Sequence, residues 1–210
     1  METLIEVIER ELGELERIMM SGDYGFNYAK GFLREAKKHC EAGDLEKCLD
    51  YIRKAREGAE REKKIVSTRN ELCNVVRGDL SLERLCEEVD SWLGKGDIDS
   101  AENTLNMLRS KIEESRKEFE RMLDGYRKEV RKLEEIFKKF DISSVPLARA
   151  KSILDELQSL LARGDFKGFE KKVKELEAVL RDAENEAKEV KKRIPSLFDL
   201  LRELSASQGE

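Results

Sequence analysis

The residues of this chain with the most chemistry to offer are four cysteines and a single histidine. In HCEAGDLEKC, residues 39–48, Cys40 and Cys48 flank the pair Gly43-Asp44, and Cys73 and Cys86 flank Gly78-Asp79 in the same manner. Residues on either side of an antiparallel hairpin turn face one another, which is the geometry a disulfide requires. Each bridge would contribute about 2.5 to 3 kcal/mol by the loop-entropy argument. The same four residues serve equally well as small core hydrophobes. Disulfides inside cells are rare outside hyperthermophiles, so both readings stand at this point. A zinc site from His39, Cys40 and Cys48 is not expected, because zinc-ligand pairs sit in knuckles of two to four intervening residues. Nor is Cys-His catalysis, since His39 and Cys40 are neighbours about 100° apart on one helix. His39 reads as a surface residue.

The remaining catalytic and cofactor patterns are also missing from the sequence. One histidine cannot furnish the paired Glu-x-x-His of a di-iron bundle. There is no glycine-rich phosphate loop and no Gly-x-Ser-x-Gly. We therefore expect no catalytic, metal or cofactor residues and a non-enzymatic protein. Of the residues, 41% are charged, yet the formal net charge is only -5, so bulk charge does not point to nucleic acid or membrane. The basic stretches REKK, RKEVRK and KEVKKR are interleaved with glutamate; a nucleic-acid face is the alternative reading. Charge-rich, amide-poor usage, with Gln158 and Gln208 as the only glutamines, is the pattern associated with hyperthermophiles. No apolar run approaches the ~20 residues of a membrane span, and the opening METLIEVIERELGELER is acidic where a signal peptide is basic. The expectation is a cytoplasmic protein with no membrane attachment.

Apolar residues recur at alternating steps of three and four almost throughout, which predicts an all-α chain. Gly-Asp punctuates it at 22, 43, 78, 96 and 164. A glycine just past a helix end closes the last turn in the left-handed conformation, and the aspartate after it caps the next helix. Aligning the chain on Gly43, Gly96 and Gly164 brings the apolar residues of both flanks into one register, with Ala36/Val89/Leu157 before the turn and Ile52/Leu105/Val173 after it. A shared offset on both sides at once is the signature of a repeat. Gly22 and Gly78 read as plain surface turns.

The expected fold is all-α, with three tandem short-helix/long-helix hairpins and coiled-coil-like packing in one domain, 1–210. An N-terminal helix (1–23) precedes repeats at 24–77, 78–140 and 141–194. A C-terminal helix and tail (195–210) follow, with Pro195 at the start of the helix and the end, SASQGE, frayed. The stretch AGDLEKCLDYIRKA resembles the turn and second helix of tetratricopeptide-like helical hairpins. About a dozen residues per repeat carry the likeness. It implies helical hairpins and no function, because the family's Trp-Leu-Gly-Tyr and proline pattern is missing.

In the second long helix, Ile98, Leu105, Ile112, Phe119, Tyr126, Leu133 and Phe140 stand seven apart, with Ala101, Leu108, Met122 and Ile136 between them and Ser115 and Glu129 as breaks. The third runs from Phe166 to Ile194 without a miss. At 1.5 Å per residue each long helix outreaches its short companion, so the far half of each seam must borrow cover from the next repeat, a terminal helix or another chain. Two groups are candidate partner-binding residues. Tyr24, Phe26 and Tyr28 lie in DYGFNYAKGF, which is either an exposed aromatic platform or a helix start packed under the terminal helix. Leu197, Phe198 and Leu201 lie on the apolar face of IPSLFDLLREL, which docks on the chain's own seam or on another protein. A protein partner or self-association is the expected use, with no small-molecule substrate evident.

Overall fold

The computed structural model describes residues 2–207. Among them are seven α-helices and no strand: α1 (Leu4–Met20), α2 (Asn27–Glu41), α3 (Leu45–Val75), α4 (Leu80–Lys95), α5 (Ile98–Lys139), α6 (Val145–Ala162) and α7 (Phe166–Ser207). The last residues of SASQGE, 208–210, lie outside the described residues.

The three aligned glycines sit at bends of one construction. Gly43, Gly96 and Gly164 have φ of +80°, +72° and +73°, a region that is strained for any residue with a Cβ. At each, the glycine N–H donates to the carbonyl three residues back (Cys40, Leu93, Leu161). The following aspartate N–H donates to the carbonyl five residues back (His39, Trp92, Leu160). This is the Schellman closure, which satisfies the last carbonyls of the short helix. The same aspartates then accept from the first free N–H groups of the long helix: Asp44 from Lys47, Asp97 from Ser100 and Asp165 from Gly168. Those amide hydrogen bonds hold the Asp44 and Asp97 carboxyls below the ordinary aspartate range. Gly78 also has a positive φ, but Asp79 N–H donates only three residues back, to Val76, so this bend is of another kind.

Short helices of 15, 16 and 18 residues are followed by long ones of 31, 42 and 42, so each rod outreaches its companion. Some offsets from the three glycines share an environment, while others, such as Phe32, Leu85 and Ile153, do not. Ala36, Val89 and Leu157 are buried, as are Ile52, Leu105 and Val173.

The chain divides into two compact units, Met1–Glu113 and Glu114–Glu210, with the division inside α5. In the first, α1 lies along α3: Ile8 packs with Cys48, Leu49 and Ile52, and Leu15 with Ala55 and Ala59. The far half of α3 takes its cover from α4, through Cys73 with Cys86 and the two-pronged pair of Arg69 with Asp90. In the second unit, the last part of α5 joins α6 and α7 in one core that includes Leu123, Val130, Phe137, Leu157, Phe169 and Leu176.

Two expectations are corrected. One column of the α5 stripe keeps its seven-residue register, with Phe119, Tyr126 and Leu133 still in the core, while the other slips by one after Ile112: Leu123, Val130 and Phe137 are buried, whereas Met122 is 36% exposed and Ile136 only half-buried. A straight helix of 3.6 residues per turn drifts by about 20° per heptad, and Ser115 and Glu129 leave gaps where the old register would have continued. Second, Pro195 does not begin a helix but lies inside α7. Proline removes one N–H, here the partner of the Lys191 carbonyl, at a position where both residues are exposed and water can replace the bond.

Candidate functional site

Three places gather the side chains that the sequence singled out. The first is the pair of cysteine turns. The Sγ atoms of Cys40 and Cys48 stand at disulfide-bond distance, as do those of Cys73 and Cys86, with Cα separations of 5.2 and 6.1 Å. The hairpin geometry therefore places both pairs where a bridge can form. Cys48 is also buried in the α1–α3 core, so it fills space there while standing within bridging reach of Cys40. His39, at the end of α2, stacks on Tyr51 with ring centroids 5.2 Å apart, and its Nδ1 lies 3.9 Å from Asp44.

The second place is the entry to α2, where Phe26 removes itself from the candidate partner surface. It is only 2% exposed and packs with Leu15, Ala29, Ala55 and Ala59. Tyr24 and Tyr28 are half-buried, Tyr24 against Phe26 and Tyr28 edge-on to Phe32. Aromatic rings beside small alanines bury more apolar area here than they could by facing water. Gly58 of α3 makes room for this packing, since a Cβ there would come within 2.9 Å of the Tyr28 ring.

Phe26 stands at the N-cap of α2 in the left-handed conformation and offers no side-chain cap. Glu62 of α3 takes over that task from across the interface. Its Oε1 accepts from the Ala29 N–H at 2.7 Å, and the Tyr28 N–H also donates to this carboxylate. Glu62 is 2% exposed, and burial pushes its carboxyl above the ordinary value against those two hydrogen bonds. The Tyr24 hydroxyl beside it is buried without a hydrogen-bond partner among the described residues, and burial together with the Glu62 charge pushes it up to about 12. Glu62→Ala is expected to lower the stability of the first unit by about 2 kcal/mol, since it orphans buried N–H groups, while Glu62→Gln keeps the acceptor and stays within about 1 kcal/mol. In the wild type, the folded state holds the Glu62 proton more tightly than the unfolded chain. Its contribution therefore falls as pH rises above the ordinary glutamate value. Urea titrations from pH 4.5 to 7.5 should show that decline in the wild type relative to Glu62→Gln.

The third place is the end of α7. Its buried stripe runs from Phe169 to Ala187, and then Leu197, Phe198 and Leu201 stand 58, 61 and 60% exposed. Just before them, Val190 joins Phe137, Ile142 and Pro146 in a cleft of about 630 Å³, with Asp182 and Glu186 on its wall. Glu186 accepts from the Ser144 hydroxyl at 2.5 Å, and Glu189 pairs with Lys192.

Sequence reasoning passed over two buried acids, Glu62 and Glu11. Both were visible as charges inside an apolar stripe: Leu4, Ile8, Glu11, Leu15, Ile18 on α1 and Cys48, Ile52, Ala55, Ala59, Glu62 on α3. Arg56 answers Glu11, with Nη1 2.5 Å from Glu11 and 2.7 Å from Glu14. These groups hold helices together, and Glu62 also lines a cleft of about 390 Å³ with Tyr24, Asn27, Arg69 and Asp90. No described helix is long and apolar enough to cross a membrane. None of the family models, curated proteins or solved structures compared with the chain matches it.

Proposed function

We propose that this chain is a non-enzymatic interaction module of the cytoplasm, built as three tandem helical hairpins, that engages a protein surface through the C-terminal part of α7. One observation carries the reading: Leu197, Phe198 and Leu201 stand more than half exposed on a helix whose earlier turns are buried in their own core. An apolar helix face of this kind is the ordinary anchor of groove recognition, read at i, i+1 and i+4. The buried ionisable groups support the reading from the other side, because Glu62 and Glu11 are engaged in helix capping and ion pairing.

The test compares wild type with Phe198→Asp/Leu201→Asp. Tagged full-length protein is exposed to lysate of the source cell, and captured proteins, including untagged copies of the chain itself, are identified by mass spectrometry. Capture by wild type and its loss in the variant, with unchanged circular dichroism, is the expected result. Equal capture by both would remove the α7 face from the function.

A further inference from the structure

We propose that the cleft bordered by the entry to α2, the middle of α3 and the end of α4 binds a primary alkylammonium group, with Glu62 as counter-ion and the Tyr24 hydroxyl as a second acceptor. The cleft measures about 390 Å³, and every residue lining it belongs to the first unit. Its test therefore stands apart from that of the α7 face.

Two polar groups in this cleft have capacity that the fold leaves unused. The Tyr24 hydroxyl is buried with no hydrogen-bond partner among the described residues. Native chains rarely leave such a group unpaired, and a ligand seated there would satisfy it. Glu62 accepts from the Ala29 and Tyr28 N–H groups, yet a carboxylate has about four lone-pair sites. Burial presses this carboxyl toward its protonated form, and a cation against it would restore the charge.

Charge selects a cation. Arg69 and Asp90, the other ionised residues of the lining, neutralise each other through hydrogen bonds of 2.9 and 2.5 Å. The start of α2 brings the positive end of one helix dipole and the end of α4, at Leu93 and Gly94, the negative end of another, so the two offset. What remains is the single negative charge of Glu62, on which Lys30 acts from outside the lining. An anion is refused. A hard divalent cation would find one carboxylate not already paired and would have to keep most of its water.

Shape selects the rest. An ammonium has three donors and no acceptor, so it can donate to Glu62 and to the Tyr24 oxygen at once. Phe26, Val66 and Leu93 give the cleft an apolar side against which a short alkyl stem can pack. Apolar walls with a few converging polar groups are the usual make-up of a small-molecule site. A free amine and a lysine side chain carry the same stem and head, so the chemistry is common to both sources.

Near neutral pH and at constant ionic strength, n-butylammonium added to the isotope-labelled full chain is expected to shift the Tyr28, Ala29 and Gly94 amide resonances saturably, with a dissociation constant on the order of 1 mM. n-Butanol, which has the stem without the charge, should bind at least about tenfold more weakly, and so should n-butylammonium to Glu62→Gln. Tyr24→Phe should bind about threefold more weakly while its urea midpoint does not fall, because it removes only a hydroxyl without a partner. Nα-acetyl-lysine N-methylamide separates the sources. Binding as tight as that of the amine assigns the site to a lysine of a partner protein, and binding of the amine alone assigns it to a free amine. Absence of saturable shifts up to about 50 mM overturns the proposal and leaves the cleft to water. So does n-butanol binding as tightly as the amine, or Glu62→Gln binding as tightly as wild type. Should Glu62→Gln not fold, undiminished affinity in Tyr24→Phe overturns it instead.

Discussion

Reduction of the two bridges is expected to lower the stability of the first unit by about 5 kcal/mol and to leave the second where it was. The bridges close separations of 8 and 13 residues, for which chain entropy alone predicts about 2.5 and 2.9 kcal/mol. All four cysteines precede residue 114, and so does the only tryptophan, Trp92. Tryptophan fluorescence therefore reports the first unit alone, while far-ultraviolet circular dichroism reports both. At a urea slope of about 2 kcal/mol per molar, reductant should move the fluorescence midpoint down by about 2.5 M. A second dichroism transition should stay in place. Cys40→Ser/Cys48→Ser and Cys73→Ser/Cys86→Ser separate the contributions, and the latter should also loosen α4 from α3. An unchanged fluorescence midpoint would show that the bridges do not constrain the unfolded chain.

Arg56→Ala should cost about 3 kcal/mol. The Glu11 side chain is 8% exposed, and its charge is answered chiefly by the Arg56 guanidinium, with Arg53 more distant at 3.8 Å. Removing one partner of a buried pair leaves an uncompensated charge, which is far more harmful than removing both. Glu11→Leu/Arg56→Met, which fills the same space between α1 and α3 with apolar atoms, should therefore recover to within about 1 kcal/mol of wild type. The fluorescence-detected urea midpoints of the two variants decide the matter. If the double variant is as unstable as the single one, the pair does not act through buried charge.

The aromatic entry to α2 shows why some sites could not be assigned from sequence. Tyr24, Phe26 and Tyr28 among two glycines are equally consistent with a platform and a packed helix start. The choice fell on burial because α3 presents Ala55, Gly58 and Ala59 at that spot, with Leu15 of α1 beside them. Leu197, Phe198 and Leu201 were legible as an apolar face. They stay exposed because α7 continues past Pro195 as one helix and does not fold back onto its own bundle.

What the sequence determined by itself was the helices and their bends. A cap, a Gly-Asp bend or a stripe of three-four spacing is decided within about ten residues, by hydrogen bonds and side-chain spacing that the chain carries with it locally. Tertiary structure alone decided which glutamates lose their water and where one column of the α5 stripe slips. Those outcomes depend on the atoms standing opposite, since desolvation and packing energies belong to the pair of surfaces and to neither alone.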